Sequence, residues 1–321
     1  MPGISLLDAQ QIYSNNGLRT QYGLILPAGS RVAAYVRSTG IQNGDDSFLA
    51  SNLVQRLVDA FPRVRPGFGD FVICLPGHKE DVADATTFSS ALPPGVKIIG
   101  VGRGSNMPTF TWVSPSAQMN ISQNDVLISG MRFLLAGTPA NPINSAQAIN
   151  ISSNDSGFTY NDVELGNTLG NATIGIGITG TAARYDVSGN AFRGWGSAPA
   201  SASIVVNSTG FDGIISQNRI FAGAAVTTGN IAVIASAQRL AIDDNEILNI
   251  TSGSVAGISY ANILITGVCS GNRIAVAAPG AVVPGVTGIT VGGLNNLTAF
   301  FNNLAVNDPN KSGFLVPAAD T

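Results

Sequence analysis

Residues 211–249 read FDGIISQNRIFAGAAVTTGNIAVIASAQRLAIDDNEILN, and within them ISQNRI at 215–220 returns 27 residues later as IDDNEI at 242–247, then as CSGNRI at 269–274. The same short pattern is anchored at Met131, Asn161, Asn190, Asn218, Asn245, Asn272 and Asn302, with intervals of 30, 29, 28, 27, 27 and 30 residues. A period of this size marks a solenoid. Three positions before each anchor stand Ile128, Phe158, Val187, Ile215, Ile242, Cys269 and Ala299; two positions after stand Phe133, Val163, Phe192, Ile220, Ile247, Ile274 and Leu304. Both columns are apolar. A second register shares the period, in the pairs Ile149/Ile151, Ile176/Ile178, Ile204/Val206, Ile231/Val233, Ile258/Tyr260 and Ile289/Val291.

Side chains two apart point to the same side of a strand, so these pairs read as β-strands with one face inward. No segment between anchors carries a helical face, and the regular leucines of a leucine-rich repeat are missing. The sequence therefore predicts an all-β, single-stranded parallel β-helix with a period of about 27–30 residues, with strands such as Arg219–Ala222, Ile231–Ala235 and Leu240–Asp243 in one turn. Right-handedness follows from the general preference of parallel crossovers. Coils stacked at roughly 4.8 Å make seven of them a rod section about 35 Å long. The repeated Asn fits a corner, since it tolerates left-handed backbone and its amide bonds to the Asn one coil away.

A chain of 321 residues with 45% hydrophobic residues, 11% charged residues and 38 glycines is low in charge and rich in turns. With a net charge of −3 it has no basic stripe for nucleic acid. No apolar run is long enough to span a bilayer, and no basic segment with an apolar core opens the chain, so neither membrane insertion nor the usual secretory route is expected. Its two cysteines, Cys74 and Cys269, fall in apolar runs and read as core residues, not a disulfide framework. The Asn-x-Ser/Thr triplets, the first at Asn120, read as composition without function.

Three regions are expected: an arm over residues 1–45, a capping helix and linker over 46–68, and the β-helix over 69–321. Asp45, Asp46 and Ser47 precede Phe48, Leu49, Leu53, Val54, Leu57, Val58 and Phe61, which predicts a capped amphipathic helix of about four turns ending before Pro62. A solenoid's first coil has an open strand edge, and this helix is its natural cover. Gly102 and Gly104 read as a turn, since no Lys-Ser/Thr of a phosphate loop follows.

The arm from Gly23 to Gly40, the turn Pro76-Gly77-His78 with Glu80, and the strand followed by Gly102-x-Gly104 and Pro108 resemble tailed-bacteriophage structural proteins associated with the capsid. The similarity covers nearly the whole chain, including Lys311 to Pro317. What the resemblance implies is a virion protein on the outer surface of the phage head, a decoration or cement protein that acts as a homotrimer on the major capsid protein. Contacts with the shell or a neighbouring subunit would then come from Leu24, Ile25, Leu26, Arg31, Tyr35 and Arg37 in the arm.

Chemistry is not expected. Glycosidases of this shape need two carboxylates about 5 to 9 Å apart, or a calcium cage with a base. The best local cluster is Asp243, Asp244 and Glu246, but Glu246 stands in a column with Arg219 and Arg273 and reads as a surface ion-pair ladder. Trp112 and Trp195 lie about three coils apart, and His78 is the sole histidine, with no partner set for a triad or a metal. No catalytic residue, cofactor or metal is anticipated; the alternative function is a tailspike or tail-associated polysaccharide-binding or depolymerase protein.

Overall fold

The computed structural model describes residues 29–42, 47–83, 92–135, 148–167, 173–194, 202–222, 228–249, 256–261, 264–276, 288–291 and 297–306, and the backbone pairs 18–19, 25–26 and 170–171. The chain winds into a parallel β-solenoid with three sheets, of 11, 10 and 7 strands. Each coil contributes one strand per sheet, for example Ile214–Ser216 to the first, Arg219–Ala222 to the second and Ile231–Val233 to the third.

The apolar columns anticipated from the sequence are the interior. In the first sheet Ile98, Ile128, Phe158, Val187, Ile215, Ile242 and Cys269 stand in register. In the second, Phe110, Phe133, Val163, Phe192, Ile220, Ile247 and Ile274 do so. The third carries the paired column, which also extends one coil earlier to Met119 and Ile121. They build one continuous buried cluster, in which Phe110 stacks on Phe133 at a centroid distance of 5.8 Å and Phe133 packs at a tilt on Phe158 at 5.2 Å. Full burial of each large aliphatic side chain is worth about 1.5–3 kcal/mol, so the columns are the main source of stability.

The polar ladder runs at the corner between the first two sheets. Each Asn Oδ1 accepts from the backbone N–H of the preceding coil's anchor, at 3.0 Å for Met131 to Asn161 and for Asn190 to Asn218. Each Nδ2 reaches back to a carbonyl of the preceding coil, as Asn218 does to Val187 at 2.8 Å. The left-handed residue at this corner is the one before the Asn: Gly130, Tyr160, Gly189, Gln217, Asp244, Gly271 and Asn302 all have φ between 54° and 76°. Asn is thus chosen for its amide, and its neighbour makes the bend.

This corrects the last anchor, which is Asn303 and not Asn302. Asn303 Oδ1 accepts from the N–H of Asn272 at 3.1 Å and its Nδ2 donates to Cys269 O at 2.8 Å. Phe300, not Ala299, faces Cys269, and Leu304 aligns with Arg273 instead of Ile274. The final interval is one residue longer than the sequence register placed it, because two adjacent asparagines let the pattern slip; Phe300 packs edge-on to Tyr260 at 5.4 Å and decides the register.

The amino-terminal end also differs. Val32–Val36 is a buried strand of the first sheet, paired with Phe71–Cys74 on one side and Leu53–Val54 on the other. It belongs to the solenoid and not to an arm, because its apolar run Ala33 to Val36 is closed over by the next coil. The four-turn capping helix is broken into a short helix Ser47–Asn52, the edge strand Leu53–Val54 and a 3-10 segment Leu57–Arg63 that contains Pro62. Pairing the free edge of Val32–Val36 satisfies backbone groups that a continuous helix would have left open. The stacking starts at this strand, ahead of residue 69. Leu24, Trp195 and residues 311–317 lie outside the described residues.

Candidate functional site

Of the residues proposed for contact, Ile25 and Leu26 form a two-residue strand antiparallel to Leu18–Arg19. Arg31 donates to Asp70 Oδ2 at 3.3 Å and to Arg63 O at 3.0 Å. Arg37 donates to Gly40 O at 2.9 Å. Tyr35 is fully buried with Leu49, Ile73 and Leu75, so it has no surface to offer a partner. What sequence reasoning missed nearby are Ile41 and Phe68, exposed at 66% and 62% in the first coil. Nothing in their spacing marked them, since they sit in loops outside the repeat.

The two buried acids of the first coils are structural. Asp70 is sealed from solvent and takes Arg65 Nε at 3.0 Å, Arg65 N at 3.0 Å and Arg31. Burial pushes its carboxyl up, but the hydrogen bonds from Arg65 and Arg31 outweigh that, and it lies below the usual carboxylate range. Glu80 stands where every later coil has an apolar residue, in register with Phe110. Its Oε2 accepts from the N–H of Leu57 at 2.8 Å, which ties the 3-10 segment to the coil. His78 lies buried, edge-on to Phe110 at 5.4 Å. The N–H of Ser38 donates to its Nδ1 at 3.0 Å, which leaves the proton on Nε2, 3.2 Å from Glu80 Oε2. Both side chains are occupied in holding the end of the rod together. Cys74 and Cys269 are buried and unpaired, and burial raises both thiols, that of Cys269 to about 12.

Two charged rows run along the outside. At the corner between the third and first sheets, Arg184 holds Asp155 at 2.6 Å and Arg239 holds Asp212 at 2.6 Å, with both guanidiniums over the Phe211 ring. Those hydrogen bonds set both carboxyls below their ordinary range. On the second sheet Arg219, Glu246 and Arg273 do align coil by coil, with Arg219 3.5 Å from Glu246.

That second row edges an open cleft of about 340 Å³, lined by Gln217, Asn218, Arg219, Asp244, Asn245, Glu246, Gly271 and Arg273. Of the acid cluster singled out in the sequence, Asp244 and Glu246 meet here, whereas Asp243 is outward on the first sheet and accepts from Ser270 Oγ at 2.5 Å. Gln217, Asp244 and Arg273 have no side-chain hydrogen bond or ion pair among the described residues.

Among the described residues no group of three His, Cys, Asp or Glu is placed to hold a metal ion, and no helix is long and apolar enough to cross a membrane. The chain matches no protein-family model, no curated protein and no solved structure.

Proposed function

We propose that the chain is a non-enzymatic structural protein of a tailed-bacteriophage virion, a decoration or cement protein that binds the major capsid protein on the outside of the head as a homotrimer. The reading starts from the resemblance carried by residues 23–40, 76–80 and 102–108. The observation that supports it best is the pair Ile41 and Phe68, large apolar side chains left 66% and 62% exposed at the amino-terminal end of the rod. Covering each is worth up to about 1.5–3 kcal/mol, and three linked copies multiply a modest contact into firm attachment. A ligand that binds only the mature lattice stabilises it by mass action, and local three-fold positions suit a closed trimer.

Copy number in purified virions, measured by mass spectrometry against the major capsid protein, is the first test. Stoichiometry comparable to the shell is expected; a handful of copies would place the protein on the tail and sink the reading. Ile41→Asp with Phe68→Asp is expected to lower occupancy on heads at least tenfold while the melting temperature holds. A depolymerase is the competing proposal because Asp244 and Glu246 share a cleft; release of reducing ends from host polysaccharide would decide for it.

A further inference from the structure

We infer that the corner between the first two sheets is a binding site for a neutral oligosaccharide chain, laid along the rod from Tyr160 to Arg273. The inference depends neither on attachment to a shell nor on cleavage. Its basis is a row that the fold repeats at every coil. Tyr160, Gly189, Gln217, Asp244 and Gly271 occupy equivalent places, each with φ between 54° and 67°. Backbone bonds link this row to the next coil, as Tyr160 N to Ser188 O at 2.9 Å, Gly189 N to Ser216 O at 2.9 Å, Gln217 N to Asp243 O at 3.0 Å and Asp244 N to Ser270 O at 3.0 Å. The same backbone conformation at each step aims every side chain of the row outward in the same way.

Within that row the residues differ in a manner that suits a sugar chain. Tyr160 is 64% exposed, and its ring lies across Gly189, where a Cβ would stand 2.6 Å from two ring carbons. Any side chain at 189 would displace the ring; glycine lets it rest against the coil with most of its surface open to solvent. Such a platform stacks on the apolar face of a pyranose, a geometry aromatic rings adopt because they bring large area at low entropic cost. Two coils further, about 10 Å along the rod, the cleft begins with Gln217. Asp244 lies against Gly271, where a Cβ would meet its Oδ1, so a second glycine makes room for the carboxylate in the cleft.

The polar groups in the cleft are those a hydroxyl-rich chain needs. Gln217 offers an amide, Asp244 two acceptors and Arg273 five donors, and none is engaged elsewhere among the described residues. Arg219 and Glu246 neutralise each other across 3.5 Å. The uncommitted charges, one Asp and one Arg, also cancel, so the site has no net preference for an anion or a cation. Hydroxyls serve as both donors and acceptors and match this mixture, whereas a phosphate or an ammonium ligand would meet one wrong charge. The coil rise of about 4.8 Å is close to the repeat of an extended pyranose chain, so successive sugar units meet successive coils.

The test is a titration of the full chain with neutral hexasaccharides of glucose, galactose and mannose, followed by protein NMR or calorimetry at two salt concentrations. Saturable binding of at least one, insensitive to salt, is expected. Tyr160→Ala and Arg273→Ala should each weaken it at least tenfold, while Arg184→Ala on the other corner leaves it unchanged. Both changes are on exposed side chains, and a melting curve for each variant separates lost binding from lost fold. Absence of binding to all three sugars at 10 mM, roughly the edge of measurable affinity, overturns the inference. So does binding that survives both substitutions, or that needs low salt.

Discussion

At the scale of the residue, the Asn ladder shows how few atoms hold the register. Each anchor amide uses both its oxygen and its nitrogen, and from Asn190 onward the carbonyl oxygen serves two donors from the preceding coil, as Asn218 does for the backbone and side chain of Asn190. Removing one amide leaves a buried backbone N–H without an acceptor, which costs about 1–3 kcal/mol beyond the lost bond. The last coil offers a paired test. Asn303→Ala should destabilise by about 2–4 kcal/mol, since it strips Asn272 of its acceptor and Cys269 O of its donor. Asn302→Gly should be neutral or slightly stabilising, because Asn302 sits at φ 54° with its side chain in solvent. Denaturant melts of the two variants check this; equal losses would return the ladder to Asn302. The sequence pattern alone could not choose, as either asparagine preserves an apolar alternation. What chose was volume, with Phe300 able to reach Tyr260 and Ala299 too small to do so.

At the scale of the element, legibility follows repetition. Strands that recur seven times were readable because each coil tests the others, and Arg219–Ala222 and Leu240–Asp243 have the bounds their pattern predicts. Segments that occur once had only local propensity to speak for them. The run Phe48 to Phe61 has helical spacing, yet tertiary demand wins: the free edge of Val32–Val36 needs a partner strand, and Leu53–Val54 supplies it. The exposed Tyr160 platform was equally hidden, since its place over Gly189 depends on which residue of each coil takes the left-handed bend. The joints of this first region rest on Asp70, which gathers Arg31 from one strand end and Arg65 from the 3-10 segment's far side. Its carboxyl is held below the unfolded value near 3.9, so its contribution is complete above that pH and is lost as pH falls through the lower, folded value. Asp70→Asn should therefore cost about 2–4 kcal/mol at pH 7 and should flatten the fall of melting temperature with acid below about pH 4. An unchanged acid slope in the variant would mean that other groups carry the pH dependence.

At the scale of the whole molecule, the rod has to manage its ends, because stacking provides every inner coil with two neighbours and each terminal coil with one. The amino-terminal end is closed in three ways: the edge strand Leu53–Val54 pairs the first sheet, Leu57, Ala60 and Phe61 cover the open core, and Glu80 in a core position fastens Leu57 to the coil beneath. Among the described residues this is the polar member of that column: its Oε2 has the Leu57 N–H and His78 as partners, and its Oε1 lies 3.7 Å from Arg56 Nε at the open end of the rod. This arrangement fixes where a truncation can be made. Deleting residues 1–28 spares every described strand of the stack, so the melting temperature should match that of the full chain. Deleting residues 1–68 removes Val32–Val36 and its cover and leaves Phe71–Cys74 as a bare apolar edge. Bare edges recruit one another, so this shorter chain should show a mass that climbs with concentration in light scattering after size exclusion. If it instead keeps the mass state and stability of the full chain, residues 29–68 are not the cap, and the end of the rod is closed by something else.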